Sequence, residues 1–190
     1  LDLSGATRFD AYLDRFEIGN RTTTSTTSGA AVGTVTLSPL NNIDARTILI
    51  SESYMFATIL QSKLLLGAVN NVKTDTMTVA GSRGNALVDF APAVTGGVLN
   101  LSGSTGALAD LRVGYCTLAT GTATTGIMDL TDGTFNAALN NLIIGYRVYR
   151  GEYNVTTTGT MSFDAGSVTA NSVTIGWGTP HPSDGTIGQG

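Results

Sequence analysis

The chain has 190 residues, of which 42% are hydrophobic and 13% charged, with a formal net charge of −4. That apolar content suffices for a packed core and excludes global disorder. The longest apolar stretch, 48–69, is broken by Glu52, Gln61 and Lys63, so no run reaches the roughly 18 apolar residues of a membrane span. The arginines are scattered, which argues against the basic arm a coat protein uses to neutralise phosphates.

Threonine, glycine, alanine and serine take the place of charge, and lysine occurs only at Lys63 and Lys73. A surface with few long charged side chains costs little to desolvate and immobilise against another copy. One domain is the default at this length. The chain begins at Leu1, as expected after removal of a signal peptide, a maturation cleavage or trimming.

Residues 1–28 read as an N-terminal arm with a Thr/Ser-rich joint. Phe9, Tyr12, Leu13 and Phe16 fit the i, i+3, i+4, i+7 spacing of a short helix, while Leu13 to Ile18 fits a strand equally well. Thr22 to Ser28 holds no apolar residue and reads as an exposed joint. From there period-two alternation dominates: Val35 and Leu37; Met77 and Val79; Leu111, Val113 and Tyr115; Leu142, Ile144, Tyr146 and Val148; Met161 and Phe163; Val173, Ile175 and Trp177. Alternation places one face of a strand on a core and leaves the other to solvent or a neighbour. Residues 48–66 fit two buried strands, Thr47–Ser51 and Tyr54–Leu60, better than a helix carrying Met55, Phe56, Ile59 and Leu60 on one face. A short helical turn is expected over Phe135–Asn140. Glycine-rich turns such as Gly81 to Gly84, Gly103 to Gly106 and Asp132-Gly133 separate the runs.

These signals predict an all-β fold: an antiparallel β-sandwich or jelly-roll-like barrel with an N-terminal arm and at most one or two short helices. The sandwich occupies residues 29–178, and 179–190 form a flexible C-terminal tail in which Pro180 and Pro182 remove ladder donors. In length and strand rhythm the chain resembles small viral jelly-roll subunits, although no motif names a family.

The residues of catalysis are sparse. His181, the sole histidine, lies between two prolines, a poor platform for a Ser-His-Asp or Cys-His device. Cys116, the sole cysteine, reads as a small core residue. One His and one Cys do not complete a zinc site. Asp129 and Asp132 beside Gly133 lack the other ligands of a calcium loop, and Asp132 suits an Asx turn or a cap on the following helical turn. No glycine loop continues into a phosphate-binding Gly-Lys-Ser/Thr. No catalytic residue, cofactor or metal is therefore expected.

The expected function is a non-enzymatic structural subunit that self-assembles through β-strand and arm contacts in a virion, as a capsid, decoration or tail protein. Its partners would be other copies of itself and other virion proteins, with no direct nucleic-acid contact and no membrane span. Candidate contacts are Phe9, Tyr12, Leu13, Phe16 and Ile18 on the arm, with Arg147 and Tyr149 on the second face of a two-sided strand. An extracellular filament or pilus subunit is the first alternative, with Asn20, Asn100 and Asn154 as glycosylation acceptors if the chain is secreted. A carbohydrate-binding module or adhesin is the second, with Trp177 and the tyrosines of 146–153 as its aromatic platform.

Overall fold

The computed structural model describes residues 1–21, 31–53, 60–117, 123–148 and 156–178. They form eleven strands: β1 (Arg8–Arg21), β2 (Thr34–Thr36), β3 (Leu40–Ser53), β4 (Ser62–Leu66), β5 (Val69–Lys73), β6 (Thr76–Val79), β7 (Asn85–Phe90), β8 (Gly97–Ser102), β9 (Ala109–Cys116), β10 (Thr124–Arg147) and β11 (Thr157–Ile175). Every ladder between them is parallel.

The registers sort the strands onto three sides of a coil. On the first side Asp10, Asn42, Asn71, Asn100, Asn136 and Ser167 stand in line. Glu17, Leu49, Thr78, Arg112, Ile143 and Thr174 align on the second. The third side aligns Thr36, Leu65, Asp89, Asp129 and Ser162. The chain visits third, first and second sides in turn and repeats, giving a parallel β-solenoid of about five turns.

This corrects the expected antiparallel sandwich or jelly-roll barrel. Alternation reports that one face of a strand is buried; it says nothing of the direction of the neighbouring strand. Part of the stretch read as an N-terminal arm belongs to the coil. Arg8–Arg21 is β1, which pairs along its length with β3, and its Ile18 is buried while Phe9 and Phe16 pack against the core. Phe135–Asn140, expected to be helical, lies within β10. Among the described residues the one helical element is a 3₁₀ turn at Ser104–Gly106. The threonine-rich joint, Tyr54 to Ile59 and the tail after Gly178 lie outside the described residues.

Inward side chains stack in columns along the axis. Ile18, Ile50, Val79 and Val113 form one buried column, continued by Ile144 and Ile175. Phe16, Ile48, Met77, Leu111 and Leu142 form another. Two buried asparagines close the corner before the first side. Asn41 Oδ1 accepts from Ser38 N–H at 3.1 Å and its Nδ2 donates to Asn70 Oδ1 at 2.8 Å; Asn70 Oδ1 accepts from Gly67 N–H at 3.0 Å, and its Nδ2 donates to the Gly67 and Val98 carbonyls. Each amide thus satisfies backbone groups that the corner takes out of the ladder.

The outward face of the first side carries a second amide ladder. Asn136, Asn100 and Asn71 each donate to the next asparagine at 2.9 Å, ending at Asn42, which donates to Asp10 at 2.7 Å. The same stacking accounts for the scarcity of charge. In a parallel coil an outward residue faces its counterparts about 4.8 Å above and below, and like charges directly opposite destabilise a ladder. Stacking therefore disfavours like charges in one column, although Asp89 and Asp129 do stand opposite each other on the third side.

Candidate functional site

One corner repeats in every turn. Gly19, Ser51, Ala80, Gly114, Gly145 and Gly176 follow the Ile18 column and all have φ between 60° and 67°. This left-handed conformation suits glycine and costs a residue with a Cβ. Ser51 offsets part of that cost by accepting a hydrogen bond from Asn85 N–H at 3.0 Å. The corner also resets the alternation. In β9 the buried positions are Ala109, Leu111, Val113 and then Gly114 and Cys116, so Tyr115 turns away from the core.

The residue after each corner projects outward, giving a column of Asn20, Glu52, Gly81, Tyr115, Tyr146 and Trp177. Its upper half is an aromatic stack. Tyr115 and Tyr146 lie 5.0 Å apart at 19° between planes, and Tyr146 and Trp177 lie 4.6 Å apart at 11°. The Arg112 guanidinium sits 4.8 Å from the Tyr115 ring centre.

In the middle of the column Gly81 supplies no side chain. A cleft of about 470 Å³ opens there, its lining including Arg15, Glu52, Arg112 and Tyr115 with the threonines Thr47, Thr76 and Thr78. The Glu52 side chain leans over Gly81; a Cβ on that glycine would lie 3.1 Å from Glu52 Oε1. Burial pushes the Glu52 carboxyl above the usual carboxylate range, and the Glu17 charge adds to the push, while Arg15 and a hydrogen bond from Ser82 N–H oppose it. Among the described residues Glu52 makes no ion pair, whereas Arg112 pairs with Asp110 at 3.4 Å and Arg15 with Glu17.

The other residues singled out in the sequence are spread over the coil. Tyr12 is largely exposed and Leu13 partly so on β1. Arg147 ends β10, where its N–H donates to the Trp177 carbonyl at 2.9 Å. Asn100 is the centre of the outward amide ladder and Asn20 donates to Glu17 at 2.7 Å. Asp129 accepts from Ser162 and Thr131, which hold its carboxyl below the usual range, and Asp132 N–H donates to Asp164 at 2.9 Å. Cys116 is buried. Tyr149, Asn154 and His181 lie outside the described residues. Among the described residues no three His, Cys, Asp or Glu side chains gather as a metal site. No helix among them is long and apolar enough to cross a membrane.

Sequence reading named Tyr146 and Trp177 as an aromatic platform but missed Glu52, Gly81 and Arg112. The recurring Ile/Val, small residue, outward residue signature at 18–20, 50–52, 79–81, 113–115, 144–146 and 175–177 is the signal that places them. No protein-family model, curated protein or solved structure matches the chain.

Proposed function

We propose that this chain is a non-enzymatic structural subunit of a virion that pairs with a second copy through its last turn. The observation that supports this reading is a contrast between the two ends of the coil. The first strand, β1, carries six charged residues in fourteen: Arg8, Asp10, Asp14, Arg15, Glu17 and Arg21. Charge on an edge strand blocks edge-to-edge pairing. The last strand, β11, carries one charged residue, Asp164, in nineteen. It pairs with β10 along one edge, and among the described residues its other edge has no strand partner. Among the described residues nothing covers its end of the interior columns, with Val173 56% and Ile175 67% exposed beside the partly exposed Phe163 and Trp177.

A second copy supplies what that end lacks: main-chain partners for the edge and apolar cover for the columns. Because β1 is guarded, the copy presents its own last turn, and the contact is two-fold and closed. Sedimentation of the purified chain should give a dimer that grows no further, and Val173→Lys with Ile175→Lys should return it to a monomer. A chain that stays monomeric at high concentration sinks the reading. Open-ended growth would show a head-to-tail contact and sink the two-fold form.

A further inference from the structure

We propose that the cleft over Gly81 binds a neutral, hydroxyl-rich ligand, a short oligosaccharide. The inference goes beyond the structural role and does not depend on it, since the cleft lies on the second side of the coil, away from the last turn.

Three observations carry it. The cleft is built by an interruption: in a column where Tyr115, Tyr146 and Trp177 touch in succession, Gly81 leaves one position without a side chain. Its volume of about 470 Å³ falls within the roughly 300–1,000 Å³ of small-ligand sites. The polar groups around it are held in place and still have capacity. Asp110 and the Tyr115 ring position the Arg112 guanidinium, and the Glu52 carboxylate accepts from Ser82 N–H. No side chain among the described residues engages the hydroxyls of Thr47, Thr76 or Thr78.

The charges decide the class of ligand. Arg15 and Arg112 face Glu52, with Glu17 and Asp110 paired behind them. The set holds two positive and three negative groups, so no strong excess of either sign draws a phosphate, a nucleic acid or a polyamine. A carboxylate that accepts, a guanidinium that donates and hydroxyls that do both match the alternating hydroxyl and ring oxygens of a sugar.

The full chain would be titrated with neutral tri- to hexasaccharides of glucose, mannose, galactose and N-acetylglucosamine, followed by saturation-transfer and amide-shift NMR. At least one should bind, with shifts centred on Thr78, Gly81 and Arg112. Gly81→Val fills the cleft and displaces the Glu52 side chain, whose Oε1, Cδ and Cγ would lie 3.1–3.2 Å from the new Cβ; it should weaken binding at least tenfold, with retention of the fold checked by circular dichroism. Glu52→Gln keeps the volume and should weaken binding several-fold, so the idea stays testable if Gly81→Val folds poorly. No binding at millimolar sugar, binding of sulfated or sialylated chains alone, or binding that survives both substitutions would overturn it. Dimerisation, read by sedimentation, should be the same in both variants.

Discussion

Tyr146 lies face to face with Trp177, ring centres 4.6 Å apart, and its opposite neighbour in the column is Tyr115 at 5.0 Å. Both contacts exist because Gly114, Gly145 and Gly176 take the same left-handed turn one residue earlier. Such pairs contribute about 0.5–1.5 kcal/mol each beyond the area they bury. Tyr146→Ala should therefore lower the unfolding free energy by about 1–3 kcal/mol and shift Trp177 emission to the red, while Tyr146→Phe should do neither. Urea unfolding followed by fluorescence checks both, and an unchanged midpoint in Tyr146→Ala would show that the stack stabilises nothing.

The two asparagine ladders should differ sharply in what they contribute. Asn70 is fully buried and serves Gly67 N–H, the Gly67 and Val98 carbonyls and Asn41. Asn70→Ala leaves those groups unpaired away from water, at about 1–3 kcal/mol for each, and should cost about 3 kcal/mol or more in total. Asn100→Ala removes hydrogen bonds on the outward face, where water replaces them, and should cost under about 1 kcal/mol. Chemical denaturation of the two variants side by side distinguishes them. Equal losses would mean that the corner does not rely on its buried amides.

Ala80 holds the left-handed corner at φ 62° with a methyl group and no compensating hydrogen bond from its own side chain. The corners at Gly19, Gly114, Gly145 and Gly176 avoid that cost. Ala80→Gly should raise stability by up to about 1 kcal/mol, since the steric relief of about 1–2 kcal/mol is partly offset by the greater freedom of glycine in the unfolded chain. A lower melting temperature in this variant would contradict the corner geometry.

The pH dependence of stability has two components of opposite sign. The Glu52 carboxyl is raised by burial and by Glu17, so the folded chain holds that proton to higher pH than the unfolded chain does. Its contribution is fully present below the unfolded value and is lost as pH rises through the folded one. Asp129 is lowered by hydrogen bonds from Ser162 and Thr131, so its contribution is present above the unfolded value and is lost as pH falls through the folded one. The unfolding free energy of Glu52→Gln minus that of the parent should accordingly grow as pH climbs through the carboxylate range and fade in acid. A difference flat in pH would place Glu52 in solvent.

The strands were legible in the sequence because period-two burial is a local property. Leu142 and Ile144, or Met77 and Val79, mark it as plainly in a coil as in a sandwich. The strand direction was not legible, because it depends on what lies one turn away. The repeat that would have revealed it is blurred on the third side, where Leu65 to Asp89 spans 24 residues and Asp89 to Asp129 spans 40. It is far steadier at the corner, where Ser51 to Ala80 spans 29 and Ala80 to Gly114 spans 34. Two of the six corner residues are not glycine, which hid the signature from a search for turn residues. The corner also explains why Tyr115 and Tyr146 looked like core positions: a strict alternation with Val113 and Ile144 holds only if no left-handed residue intervenes.

The steady corner and the variable stretches between corners divide the labour of growth. A duplication running from one corner to the next would add a whole storey, lengthening the molecule by about 4.8 Å, and every side chain would keep its facing. Length in such a chain is inherited in storeys, and a gene need only copy from bend to bend to build a taller column.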